Sequence, residues 1–400
     1  MGVGRPVALV RDQPGFTRLT LAAFISSVGD PLSLTVSLVL LFTATRSPLS
    51  IAGAYLCQIL SGLVVSSLLT PLADRVDRRR LIVRLELGRC LLVALLPLLT
   101  HVSVMFLYPA LLLLGAAQAL VQSGRQAAIP ALVGDKRVGS ANGTILAVTS
   151  VAQGAGFATA GFLIPTLGDP RLLYLGDAVS FAAAAGLVAI VGPMGGGLAA
   201  TPIRGGLVRA LRIPGAPVLL VVAGVANLCV GMLNPALLPL AYNISHSGPL
   251  VYGLLQVALI AGVLGGSLAA GRVAAPLTRT VLAVSIWTFA ATVGLVGAST
   301  TAAFAIPAIL LSGVGNAGYS VTNLSALMRL SEERNRGTVM GARVASTQAG
   351  NLVGLGVGAG VTTLLGPHAT FFGAGVVLLA LAAWYTATLL PRPSAQQPTV

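Results

Sequence analysis

The sequence predicts an all-α membrane protein: twelve transmembrane helices in two pseudo-symmetric six-helix bundles. Three observations carry this reading. The 400 residues are 56% hydrophobic and 8% charged, with a mean hydropathy of +0.92, whereas soluble domains carry roughly a quarter charged residues. Short polar gaps cut the chain into about a dozen apolar stretches of roughly 20 residues, the length that crosses a bilayer. A Gly- and Pro-punctuated segment then parts these stretches into two groups of six.

The expected spans are 16–42, 48–70, 80–100, 103–123, 139–165 and 171–192, then 216–242, 248–271, 279–298, 302–328, 337–364 and 368–390. An even number puts both chain ends on one side. With the first end cytoplasmic, 21 of the 24 Lys and Arg residues fall on the cytoplasmic side, Arg46 and Arg171 fall outside, and Arg89 lies within helix 3. Basic residues of short loops stay cytoplasmic, so a cell (inner) membrane protein with both termini cytoplasmic is expected. The formal charge of +14 is then topology, and no nucleic-acid partner is implied. Residues 1–15 show no cleavage site behind a short apolar core, so no removable signal peptide is expected. Cys57, Cys90 and Cys229 all lie in apolar stretches, which leaves neither a disulfide framework nor metal-ligand spacing.

Between 193 and 215, Pro193-Met194-Gly195-Gly196-Gly197 is followed by Thr201-Pro202-Ile203-Arg204-Gly205-Gly206, the punctuation of a linker. The domains are therefore residues 1–192, the linker 193–215, residues 216–390 and a Pro-rich tail, 391–400, too polar to pack. The halves echo each other. Asp30-Pro31 matches Asn234-Pro235 at an offset of 204, Ser47 matches Ser247 at 200, and Leu72-Ala73-Asp74-Arg75-Val76 matches Ala269-Ala270-Gly271-Arg272-Val273 at 197. Six-span repeats build many secondary transporters, with the path between the halves.

The segment Pro71-Leu72-Ala73-Asp74-Arg75-Val76-Asp77-Arg78-Arg79-Arg80 is too charged for hydrocarbon, where each charge costs roughly 2.5–3.5 kcal/mol. It must be a surface loop between helices 2 and 3. It resembles the conformational latch of the major facilitator superfamily. Further stretches resemble the multidrug, macrolide and siderophore exporters of that family: Ser26-Ser27-Val28-Gly29-Asp30, Gly124-Arg125-Gln126 through Val133 after helix 4, Ala141-Asn142-Gly143, Asp177-Ala178-Val179-Ser180-Phe181, and Glu332 through Gly341. The resemblance implies that Asp74 docks at the start of helix 11, with Arg75 and Arg78 or Arg79 bridging to acids to hold the cytoplasmic side shut. The alternative is that the arginines only set topology. Two departures stand out: Gly271 replaces the latch acid in the second half, and Gly156-Phe157-Ala158-Thr159-Ala160-Gly161 lacks the proline of the family's antiporter element in helix 5.

An unpaired acid deep in a spanning helix is by default functional, and Asp30 lies near the middle of helix 1. It is expected either to carry the coupling proton or to be a structural acid bonded to a neighbouring helix. Glu86 and Arg89, three apart, share a face and can pair. Asp177 is either an outer-gate partner of Arg171 or a polar anchor. Gln58, Gln118, Gln122, Asn227 and Asn234 could line a substrate cavity, as could Gln256, Asn316, Tyr319 and Asn323, although polar residues also join membrane helices. The Gly runs 262–266 and 350–360 are expected to be close-packing surfaces. No Gly-x-x-x-x-Gly-Lys-Ser/Thr occurs, so no ATP-driven step is expected within this chain. No cofactor, catalytic residue or metal site is expected either. The predicted function is a proton-coupled secondary transporter, a monomer in the lipid bilayer that exports a small apolar or cationic compound. A nutrient or sugar importer, or a non-transporting membrane partner protein, is the alternative.

Overall fold

A computed structural model describes residues 13–65, 77–192, 194, 213–245, 248–331 and 335–389. Among them every regular element is helical. The first half comprises α1 (Pro14–Thr45), α2 (Pro48–Val64), α3 (Arg78–Val102), α4 (Leu107–Val133), α5 (Val138–Leu163) and α6 (Leu173–Ala189). The second comprises α7 (Ala216–Ile244), α8 (Gly248–Ala270), α9 (Thr278–Gly297), α10 (Ala302–Leu330) and the run Arg336–Leu389. Gly366, at φ 87°, breaks that run into α11 (336–365) and α12 (367–389), where Gly tolerates the positive φ and Pro367 restarts a helix. The twelve expected helices are all present. Asp74, Arg75, most of the linker and the tail lie outside the described residues.

Local chemistry sets the boundaries. The Ser47 hydroxyl accepts from the Leu49 amide (3.3 Å) and Pro48 opens α2. The Asp77 carboxylate accepts from the Arg80 amide at 2.9 Å and so caps α3, an acid at the positive end of the helix dipole. One expected boundary moves. Helix 4 does not stop near 123 but runs on to Val133, because Ala128, Ile129 and Val133 are buried and Gly134, at φ 75°, ends the helix.

Nine described helices are long and apolar enough to cross a membrane, the fused α11–α12 run counted once. The α2 helix is described over 17 residues only, and α3 carries charge inside an apolar shell. Leu87, Leu91, Leu95 and Leu98 form one stripe, 42–67% exposed, while Glu86, Arg89, Val93 and Leu96 turn inward. A polar inside and an apolar outside is the inverse of a soluble amphipathic helix and suits contact with lipid.

Odd-numbered helices begin at one face, the near face, and even-numbered helices begin at the opposite, far face. Within the first half α1 packs on α5 and α6, α3 on α4 and α6, and α2 on α4; α7, α9 and α8 repeat these pairings with α11, α12 and α10. Lipid gives no hydrophobic drive between helices, so close approach of small residues does the packing. Gly350 and Gly354 lie against the backbone of Gly224 and Leu228, and Gly262 and Gly266 against Leu310, Gly313 and Val314. Both glycine runs are thus packing surfaces, as expected.

Between the halves the main contacts are α5 with α8 and α2 with α11. They concentrate at the far face. Gly161 of α5 sits on Gly253 and the Pro249 carbonyl of α8, and Ala52 of α2 packs on Leu355 and Ala359 of α11. Above the centre, the hydroxyls of Tyr55 and Tyr252 lie 3.4 Å apart and Phe157 meets Tyr252 edge-on at 6.2 Å.

Candidate functional site

Four side chains of α1, spaced 4, 3 and 4 residues, point to one side of the helix: Ser26, Asp30, Ser33 and Ser37. Each meets a polar partner on another helix. Asp30, midway along α1, accepts from Arg89 of α3 through one oxygen and from Gln118 of α4 (3.0 Å) through the other. Ser26 lies 3.4 Å from Arg89. Ser33 donates to Asp177 of α6, and Ser37 shares a 2.8 Å bond with the Tyr174 hydroxyl. A Cβ on Gly29 would overlap the Asp177 carboxylate, so the missing side chain is what lets α6 come this close.

Arg89 is the hub. Its guanidinium also donates to Glu86 at 3.1 Å and lies 3.9 Å from the centre of the Phe181 ring, a cation–π contact. Arg125 of α4 comes within 4.0 Å of Glu86. Arg89 and Glu86 are each 2% exposed and Asp177 1%, whereas Asp30 is 19% exposed. Asp30 is therefore the carboxylate of this cluster that reaches open space. Three acids face two guanidiniums, a formal excess of one negative charge when all are ionised.

That open space is a cavity of about 420 Å³ lined by Asp30, Gln118, Gln122, Arg125, Asn142 and Gln153 among others. Its walls come from the near-face ends of α4 and α5, so it runs from the near face to the middle of α1. A smaller space of about 210 Å³, with Gln58 and Phe157 in its wall, continues past Asp30 toward the far face. In the second half, α7, α8, α10 and α11 line a cavity of about 320 Å³ with Asn227, Asn316, Tyr319 and Arg343.

A family model described as the Major Facilitator Superfamily matches residues 19–214 and 219–400. The chain belongs to that superfamily. As a member it is a multi-pass membrane protein with the fold of secondary transporters. No curated protein sequence matches this chain. Among solved structures it is similar to the nucleoside transporter NupG (TM-score 0.75, 11% identity, 94% of this chain and 100% of that one). It is also similar to a bacterial homologue of the iron transporter ferroportin in an inward-facing state (0.69, 17%, 92% and 99%). The POT family transporter PepTSo is a third (0.69, 12%, 94% and 98%). At these identities the likeness is one of fold.

Several sequence expectations change in this superfamily member. Asp30 is not unpaired, since Arg89, expected to pair with Glu86, bridges both acids. Asp177 does not meet Arg171, which instead pairs with Asp169 at 3.3 Å; the Asp177 carboxyl points into the bundle because its partners are Ser33 and Ser180. Among the described residues Arg78 and Arg79 meet no acid; Asp74, Glu332 and Glu333 lie outside them. The two arginines donate to carbonyls of their own half, Arg78 to Ala127 (3.1 Å) and Met194 (3.3 Å), Arg79 to Val191 (3.3 Å). Gln58, Gln118, Gln122, Asn227, Asn316 and Tyr319 line cavities. Asn323 does not: it is fully buried and ties α10 to the Leu219 carbonyl of α7 at 2.9 Å. Gln256 donates to Tyr252 (2.9 Å) in the far-face seal, and Asn234 is half-buried along α7. The sequence reading missed Arg125 and Arg343 as cavity residues. Arg125 fell in a stretch read as loop, and Arg343 was counted only toward topology; the α1 polar stripe was the available signal for the rest.

Proposed function

We propose that this protein is a proton-coupled secondary transporter of the cell membrane, cytoplasmic at both ends, that carries a small polar solute by alternating access. The lobes are residues 1–192 and 216–390, joined by the linker 193–215, and the working unit is one chain. The observation that carries the reading is Asp30. It is a mid-helix carboxylate at the wall of a cavity entered from one face, held by Arg89 and Gln118 beneath a closed far face. Protonating Asp30 removes one of the two acids that hold Arg89 and lowers the charge of the cluster. A proton and a solute that both act on this pair bias the equilibrium between the two access states, because each binds one arrangement better than the other.

The split of basic residues makes the near face cytoplasmic. In this reading Asp74 and Arg75, with Arg78 and Arg79, are the latch that holds the near face shut in one access state; Arg78 and Arg79 here donate to carbonyls of their own lobe. The wall of the near-face cavity supports polar cargo, since amide and hydroxyl side chains outnumber apolar ones there.

The second reading is efflux of an apolar or cationic compound in exchange for protons. The excess negative charge of the cluster and the exporter-like motifs favour it. Proteoliposomes with imposed pH gradients of either sense separate the two, given a panel of polar solutes and lipophilic cations. The proposal expects gradient-driven flux of a polar solute that Asp30→Asn abolishes. Unchanged gradient-driven flux in Asp30→Asn, or folded protein with no flux at all, overturns it.

A further inference from the structure

The charged groups of the two lobes differ in kind. The first lobe gathers three acids and two arginines, whereas between 216 and 389 the only acids are Glu332 and Glu333, both outside the described residues. Arg343 nevertheless lies seven residues into α11, half-buried in the wall of the second-lobe cavity. Its Nε donates to the Asn323 side-chain oxygen (3.3 Å), and Nη2 to the Ser320 carbonyl (3.3 Å) and hydroxyl (3.1 Å). All three acceptors are neutral. Among the described residues Arg343 has no carboxylate partner, and its Nη1 has no acceptor. A residue that only fixed topology would extend its charge toward the near-face water; this one is turned back and fastened along one edge. Beside it, the Tyr319 hydroxyl accepts from Asn227 at 3.0 Å, which leaves its own proton to donate.

We infer that Arg343 and Tyr319 form a binding site for an oxyanion, a carboxylate or a phosphate, borne by the transported solute. A guanidinium fixed on one edge and open on another is preorganised for the paired hydrogen bonds such groups accept. The cavity of about 320 Å³ has room for the group, and the anion supplies a counter-charge that Arg343 does not find among the described residues. The solute is thus a small organic anion, zwitterions included. The inference rests on the transport reading for its purpose but not for its measurement.

The test is thermal unfolding of the purified full chain with potassium phosphate or potassium acetate, against potassium chloride at matched ionic strength. At least one oxyanion raises the midpoint saturably, and which one does so separates phosphate from carboxylate. The rise disappears in Arg343→Gln, persists weakened in Arg343→Lys and is kept in Asp30→Asn, so it stands apart from proton coupling. The absence of a saturable rise over chloride, or a rise that survives Arg343→Gln, overturns the site. Should Arg343→Gln fail to fold, a cysteine at Thr347, in the same cavity, reports the potential with Arg343 intact once Cys57, Cys90 and Cys229 are serine. An anionic methanethiosulfonate should then react faster than a cationic one and be slowed by the oxyanion that raises the midpoint; preference for the cationic reagent, or no protection, counts against the site.

Discussion

Arg89 of α3 and Asp30 of α1 join the buried charges of the first lobe to its cavity. Arg89 is 2% exposed and Asp30 19%, so the same contact has one foot in the protein interior and one at open space. The two partners should therefore respond differently to removal. Arg89→Gln leaves Asp30 and Glu86 with only Arg125, 4.0 Å from Glu86, and stranding buried charge in this way costs roughly 3–5 kcal/mol. Asp30→Asn leaves Arg89 on Glu86 and keeps an oxygen for Gln118. We expect Arg89→Gln to unfold far more readily in detergent, and Asp30→Asn to stay folded yet lose gradient-driven flux. Equal thermal stability of the two variants would contradict this division of roles.

Much of this arrangement was legible in the chain, because a bilayer imposes a length on every apolar segment. The helix count follows from that constraint, and the break before α12 follows from Gly366-Pro367. What was not legible depends on which faces meet. Glu86 and Arg89 announce a pair by their spacing, but nothing in α3 says that Asp30, 59 residues earlier, shares the arginine. Asp177 sits early in a helix that starts at the far face, which suggested a gate; only the approach of α6 to Gly29 turns it inward. Asn323 falls on the helical face of Asn316 and Tyr319, yet at its level α10 packs on α7 and buries it against the Leu219 carbonyl.

The glycines make a second, contrasting pair. A Cβ on Gly253 would stand 2.6 Å from the Phe157 carbonyl across the two lobes, whereas one on Gly354 would strike Leu228 within a single lobe. Gly253→Val should leave each lobe intact and weaken the far-face seal. A cysteine at Gln256, one turn beneath Tyr252, should then react faster with an impermeant maleimide added from the far side. Gly354→Val should lower thermal stability by about 1–3 kcal/mol, the usual cost of overpacking, without opening the seal. Protection of residue 256 in Gly253→Val would show that the seal does not depend on this contact.

Orientation has a direct readout. Lys136 is the lysine of the whole chain and lies exposed in the turn Asp135–Arg137 between α4 and α5, at the near face. With the near face cytoplasmic, an impermeant amine reagent should modify residue 136 in inside-out vesicles and spare it in intact cells. Lys136→Arg supplies the control. Labelling in intact cells would invert the topology.

Asp177 allows the proton-carrying role to be tested by exclusion. It is 1% exposed and accepts from Ser33 and Ser180, so its oxygens are occupied by hydroxyls that can turn to suit an amide. Asp177→Asn should then keep the α1–α6 contact, with one serine rotating to accept from the new NH2. Asp177→Ala leaves the Ser33 hydroxyl buried without that partner, at roughly 1–3 kcal/mol for an unsatisfied polar group, and opens a hole beneath Gly29. If Asp177 is an anchor, thermal stability falls in the order wild type, Asn, Ala, while gradient-driven flux survives in Asp177→Asn. Loss of coupling in that variant, with Asp30 and its bond to Arg89 intact, would show that Asp30 does not carry the proton alone and that Asp177 is more than an anchor.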